Sequence, residues 1–300
     1  MMTPKLIYIA GPTAVGKTAL SIALARHYQT EIISCDSRQF YKEMNIGTAL
    51  PTPEERASVP HHFIQHVSVE DPVNVGRFEK EGLNLLSSLF KKKEIVIMTG
   101  GSGLFAKALI EGLDHFPPIP KEVKTQLDVF YQTHGIEGLQ DLLRDQDPQH
   151  YRKVDRQNPL RLLRALEVCF AAGAPYSSFL GKEKVSRSFD TEIFVLHQPR
   201  EKLYQRINNR VDQMLAAGLE EEVKSLESLK KHNSLRTVGY QEWWGYFDGT
   251  YDRESVIHAI KKNSRRYAKR QITWFNRYGK ERIYPANTPQ QEFHNLIEKN

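Results

Sequence analysis

The segment Gly11-Pro12-Thr13-Ala14-Val15-Gly16-Lys17-Thr18 fits the pattern G-x-x-x-x-G-K-[ST]. Its glycines let backbone N–H groups converge on one point, and a helix opening at Lys17 adds the partial positive charge of its N-terminus. Lys17 contributes a full charge, and the Thr18 hydroxyl is the atom of this pattern suited to Mg²⁺. The chemistry is phosphate binding. Further along, Asp36 stands in Ser34-Cys35-Asp36-Ser37-Arg38-Gln39, directly after an apolar run. An Asp there is either a turn former or a general base, and a shared rim with a phosphate loop favours the base. A third polar loop, Thr99-Gly100-Gly101-Ser102, follows Ile95–Met98. NTPases usually place an Asp at such a strand end to hold Mg²⁺. None stands here, which disfavours a mechanical NTPase.

Those loops need a frame. Leu6–Ala10, Glu31–Cys35 and Glu94–Met98 are strand-sized apolar runs, and Lys17–His27 and Phe78–Phe90 carry helical apolar spacing. Strand alternating with helix predicts an α/β fold, a P-loop NTPase-like core with a parallel sheet covered by helices. Ligand loops of such sheets lie at the carboxyl ends of the strands, so Gly11–Thr18, Asp36–Gln39 and Gly100–Gly103 fall on one rim. After Asp114 the pattern changes. Pro117, Pro118 and Pro120 interrupt the chain, and helical patterns follow at Lys121–Thr133, Ile136–Arg144 and Asn158–Ala172. The division expected is a core over 1–113, a helical insertion over 114–190, and the rest of the core over 191–300. That last part holds a strand at Glu192–Leu196, an amphipathic helix at Glu201–Ala217, a long helix at Val256–Tyr278 and a short strand at Arg282–Tyr284.

Composition narrows the partner. Of 300 residues, 42 are Lys or Arg and 36 Asp or Glu, a net charge of +6. Arg253–Arg282 alone carries ten bases and two acids, a local +8, so the remaining 270 residues sum to −2. One concentrated basic segment on a near-neutral body points to a polyanion, most simply a nucleic acid. Lys262, Arg266, Lys269 and Arg270 recur at helical spacing among Tyr267, Trp274, Phe275 and Tyr278, with the aromatics read as core and the charges as outward. No apolar run has the length of a membrane span, and no histidine pattern has metal-ligand spacing. Two cysteines, Cys35 and Cys169, make no disulfide framework, so the expectation is a reduced, cytoplasmic setting.

The motifs in order make a larger pattern. Gly11–Thr18, Asp36–Tyr41, Asn45–Thr48, Pro60–His62, Thr99–Phe105, Asn158–Glu167, Arg236–Tyr240 and Lys269–Phe275 follow one another as in the tRNA dimethylallyltransferases, which the chain resembles over nearly its whole length. The resemblance implies transfer of a dimethylallyl group from dimethylallyl diphosphate to the exocyclic amine of the adenosine 3′ of the anticodon, position 37. It implies tRNAs reading codons that begin with U, Mg²⁺ as cofactor, an anticodon stem-loop as partner and a monomer. Gly11, Pro12, Thr13, Ala14, Val15, Gly16, Lys17 and Thr18 would hold the diphosphate, with the metal at Thr18. Asp36 would be the general base, with Ser102, Arg236 and Lys17 at the reacting centre. Asp36, Ser37, Arg38, Gln39, Ser102 and Lys124 would meet tRNA. So would Leu160, Arg161, Leu162, Leu163 and Arg164, and also Thr237, Val238, Gly239, Tyr240, Gln241 and Glu242. Ser102, Phe105 and Leu50 depart from the family's usual Thr, Tyr and Lys.

The chemistry agrees with that implication. Diphosphate leaving an allylic carbon develops negative charge that Lys17, Arg236 and loop amides can absorb. An aromatic amine is a weak nucleophile, and a carboxylate of pKa about 3.9 can accept its proton only as the C–N bond forms. The rival is a small-molecule or nucleotide kinase, with ATP at the same loop and Asp36 as base on a hydroxyl. It leaves the +8 segment without a partner. A non-catalytic RNA-binding module leaves the phosphate loop and Asp36 idle.

Overall fold

In the computed structural model, residues 3–181, 185–278 and 282–299 are described. Lys280 of the basic segment lies outside them. Six strands form a single parallel sheet in the order β3-β2-β4-β1-β5-β6, with β1 at Lys5–Ala10, β2 at Ile32–Ser34, β3 at His61–His62, β4 at Ile95–Thr99, β5 at Asp190–His197 and β6 at Ile283–Pro285. β1 lies between β4 and β5, with Ile7 opposite Ile97 on one side and Glu192 on the other. Because side chains of a strand alternate between faces, a sheet covered on both sides needs apolar residues at every position. Accordingly Leu6, Tyr8 and Ala10 join one buried cluster and Ile7 and Ile9 the other.

Helices cover both faces. α1 (Lys17–His27), α8 (Arg200–Ala216) and α12 (Gln290–Lys299) contribute Leu24, Ile207 and Phe293 to the cluster of Ile7 and Ile9. α3 (Val75–Leu89), α4 (Gly103–Glu111), α9 (Leu219–Ser225) and the long α11 (Arg253–Tyr278) contribute Phe78, Leu109, Val223 and Phe275 to the opposite one. α11 begins three residues earlier than its apolar spacing indicates, because Asp252 accepts the Ser255 N–H at 2.8 Å and caps it. Short helices α2 (Pro53–Ser58) and α10 (Trp244–Phe247) complete this part. α2 rests on a reciprocal cap between Thr52 and Glu55.

The chain divides into two compact units, Met1–Glu111 with Ser186–Asn300, and Gly112–Val185. The second unit is helical: α5 (Lys121–Gln146), α6 (Pro148–Tyr151) and α7 (Pro159–Ala172) enclose Leu127, Leu139, Leu143, Leu162 and Leu166. α5 is broken at Gly135, whose φ of +63° and ψ of −163° lie outside the helical region. That break separates the two helical patterns read from sequence on either side of it. α7 starts at a capping Asn158 followed by Pro159 and stops at Gly173 in the left-handed conformation. Both cysteines are buried and free. Among the described residues, no helix is long and apolar enough to cross a membrane.

Candidate functional site

The phosphate loop leaves β1 at Gly11, where a side chain is impossible: φ is +136° and a Cβ would stand 2.7 Å from the Leu196 carbonyl oxygen. Gly16, at φ +115°, is the N-cap of α1 and supplies no side-chain cap. The first amides of α1 are therefore left for a ligand. The Lys17 ammonium folds back on the loop and donates to the Gly11 and Pro12 carbonyls at 3.0 and 2.8 Å. Desolvation lowers its pKa to about 8, with the Asp36 carboxylate opposing and Arg210 adding to the drop.

Two arginines that sequence reasoning passed over complete this anion site. Arg206 and Arg210 stand four apart on α8; Arg206 donates to the Ala14 carbonyl at 2.8 Å and Arg210 reaches the Thr13 hydroxyl at 3.5 Å. Burial and the Arg206 charge lower the Arg210 pKa, and Asp36 opposes them. They flank the buried stripe Leu203, Ile207 and Val211, so their i, i+4 spacing beside an apolar face was the available signal. Gln271 on α11 was missed as well. It accepts the Thr13 N–H at 2.9 Å and donates to the Gly101 carbonyl at 3.0 Å, joining the phosphate loop to the third rim loop.

Asp36 follows β2 and accepts the Arg38 N–H on one carboxylate oxygen at 3.1 Å, a local turn that fixes its side chain. The Ser102 hydroxyl accepts the Ser37 N–H at 3.1 Å and lies 3.2 Å from the Ser37 hydroxyl. Tyr267 of α11 also bonds to Ser102; burial first, and then the Asp36 charge, raise its hydroxyl above the usual tyrosine range. Arg38 donates to the Ser234 carbonyl at 3.1 Å. Gln39 bonds inward, to Ser34 and to the Thr48 and Ala49 carbonyls.

Some of these groups border one cleft of about 390 Å³, which Thr13 alone of the phosphate loop lines, while Lys17, Thr18 and Ser102 are not part of its lining. Asp36, Ser37, Arg38 and Thr13 meet Arg210, Arg236, Tyr267 and Arg270 there, alongside an apolar wall of Ile207, Val211, Met214 and Val238. Thr237, Gly239 and Gln241 line it too. Thr18 is half-buried in the first turn of α1, and Arg236 is exposed.

Several residues expected to meet RNA have side chains packed within the protein. Tyr240 is fully buried, with its hydroxyl on Glu222 at 2.6 Å. Glu242 turns to the Gly239 N–H and the Asn263 amide. Leu162 and Leu163 point into the core of the second unit. Tyr240, Leu162 and Leu163 are buried and Glu242 is half-buried, and the Tyr240 hydroxyl and Glu242 carboxylate have partners within the protein. In the second unit Lys124, Leu160, Arg161 and Arg164 are exposed, with Arg164 over the Phe116 ring at 5.3 Å. On α11, Lys262, Arg266, Lys269 and Arg270 face solvent while Phe275 is buried and Trp274 is exposed. The Phe105 ring packs against Phe40 and Phe78, with centroids 5.7 and 5.4 Å away.

Among the described residues no cluster of three or more His, Cys, Asp or Glu is able to hold a metal.

Residues 39–278 match the family model described as IPP transferase. The chain is 51% identical over 276 residues to the tRNA dimethylallyltransferase of Christiangramia forsetii, covering 92% of this chain and 91% of that one. It is 50% identical over 278 residues to the enzyme of the same name from Flavobacterium psychrophilum, covering 91% of each. Among solved structures, a eukaryotic dimethylallyltransferase acting on tRNA superposes with a TM-score of 0.82 at 28% identity, over 95% of this chain and 74% of that one. The tRNA isopentenylpyrophosphate transferase of Bacillus halodurans gives 0.72 at 34% identity, over 98% and 96%.

Proposed function

The chain belongs to the IPP transferase family, and on that premise we propose how its cleft carries out the reaction of a tRNA dimethylallyltransferase. Dimethylallyl diphosphate enters with its charged end on the phosphate loop, and the adenine amine of an anticodon loop approaches from the side of Asp36. The allylic C–O bond breaks, the C–N bond forms, and diphosphate leaves with the bonding electrons. Loop amides, Lys17, Arg210 and Arg236 stabilise the charge it gains. Asp36 accepts the amine proton as the nitrogen becomes cationic, so no covalent enzyme intermediate is needed. Thr18 would hold Mg²⁺, whose positive charge would favour departure of the diphosphate.

One observation carries this reading. A single cleft joins a carboxylate and the side chains of four arginines to a hydrocarbon wall formed by Ile207, Val211, Met214 and Val238. A small branched alkyl diphosphate has both halves of that complementarity; the phosphoryl end of a nucleotide uses only the charged half. The exposed cations of α11 give the RNA backbone a place to rest without reading its sequence. A stacked anticodon-loop base would leave its neighbours to reach the carboxylate. The test is incubation with an anticodon stem-loop, Mg²⁺ and either dimethylallyl diphosphate or ATP. A prenyl mass increment on RNA with the first donor supports the reading; phosphoryl transfer from ATP without prenylation supports the kinase.

A further inference from the structure

Glu222 on α9 holds two walls of the cleft at once. Its carboxylate accepts three successive backbone N–H groups, from Asn45 at 3.2 Å, Ile46 at 2.7 Å and Gly47 at 3.1 Å. It also accepts the Tyr240 hydroxyl at 2.6 Å. Burial, reinforced by the neighbouring carboxylate, raises Tyr240 well above the usual tyrosine range and keeps it a donor. The two segments touch directly: a Cβ on Gly47 would stand 2.4 Å from the Tyr240 ring.

Both segments continue into the cleft. Gly47, Thr48 and Ala49 enter it from one, and Thr237, Val238 and Gly239 from the other. The apolar residues Ile207, Val211 and Met214, which also line the cleft, belong to α8, a regular helix of 17 residues. The first segment ends in irregular backbone under strain, with Ala49 at φ +50° in the left-handed region. Such a conformation persists only where its surroundings hold it. The helix wall is rigid by construction, whereas the spacing of the two loop walls depends on the carboxylate they share.

We propose that Glu222 is a positioning residue that sets the length of hydrocarbon the cleft admits, by holding the 47–49 and 237–239 segments at the separation a five-carbon chain fills. The inference rests on the prenyl-transfer reading above. Without the carboxylate, three N–H groups and a hydroxyl lose their acceptor and turn toward water, and the slot widens.

The experiment compares wild type, Glu222→Gln and Tyr240→Phe with dimethylallyl diphosphate and with geranyl diphosphate on one stem-loop, measuring kcat and KM for each donor. Glu222→Gln keeps the size but presents an NH₂ where acceptors are needed. The expected result is a rise of about tenfold in the geranyl-to-dimethylallyl ratio of kcat/KM, the usual scale of discrimination by pocket size. The dimethylallyl loss should lie mainly in KM. Tyr240→Phe, which removes one of the four bonds, should move the ratio the same way by less, and it decides the question alone if Glu222→Gln does not fold. An unchanged ratio, whether or not activity or melting temperature falls, overturns the inference, because a purely structural role lowers both donors alike. Failure of the wild type to transfer either group overturns the prenyl-transfer reading itself, a separate result.

Discussion

The Gln271 side chain accepts the backbone N–H of Thr13 at 2.9 Å, tying the basic helix α11 to the phosphate loop. The same side chain donates to Gly101 at 3.0 Å, and Gln271 is only 5% exposed. Gln271→Leu leaves a part-buried donor, the Thr13 N–H, and a buried acceptor, the Gly101 carbonyl, without partners. Each such group costs about 1–3 kcal/mol. Thermal unfolding should show lower stability, and steady-state kinetics a raised donor KM, because the loop proposed to hold the diphosphate loses its brace. Unchanged stability and KM would show that α11 does not brace the loop.

Lys17 gives the pH dependence. Its pKa in the ligand-free protein is lowered to about 8, chiefly by desolvation. It is charged below that pH and neutral above it, so attraction for diphosphate is present at neutral pH and fades as pH rises through about 8. The donor kcat/KM should fall on that alkaline limb. In Lys17→Met the value should be low throughout and this limb should be absent. A limb that persists in the variant assigns the titration to another group.

Arg210 and Arg236 border the same cleft but differ in their surroundings. Arg210 is enclosed near Thr13 and Arg206, whereas Arg236 is exposed at the cleft edge. Arg210→Ala should raise donor KM, since an enclosed cation by the phosphate loop already grips the bound donor. Arg236→Ala should lower kcat more than it raises KM if that side chain meets charge only as diphosphate departs. Equal KM effects with unchanged kcat in both would contradict this division.

The exposed bases of α11 predict a salt effect. Log affinity for the stem-loop should fall with log salt by about 0.7–0.9 per phosphate contact. Arg266→Gln should reduce that slope by about one contact and leave the modified base unchanged. Filter binding across a salt series measures it. An unchanged slope with a lowered melting temperature would place Arg266 in the fold instead.

Much of this arrangement was legible in sequence because local rules agreed with the tertiary structure. The apolar runs at Leu6–Ala10 and Ile95–Met98 lie within β1 and β4, and the phosphate loop stands between strand and helix as its pattern requires. Gly135 breaks α5 where the helical spacing itself was interrupted. What escaped were features set by contacts remote in sequence. β3 is two residues long and exists through pairing with β2, which leaves no periodicity to detect. Gln271 finds its partner 258 residues away, and nothing in its neighbourhood announces it. Tyr240 lay inside a segment whose other members border the cleft, yet its ring is buried and its hydroxyl is held by Glu222. Alternating faces within a short irregular segment cannot be assigned without the element it packs against.

In the proposed mechanism Asp36 takes the amine proton during prenyl transfer. Its carboxylate lies in the cleft beside Arg210 and Arg236 and spends one oxygen on the Arg38 N–H. Single-turnover prenylation of an anticodon stem-loop by wild type and Asp36→Ala, with RNA and donor affinities measured alongside, tests it directly. The expected result is a rate lower by about 10²–10⁴ with both affinities nearly unchanged. A rate within a few-fold of wild type would contradict it.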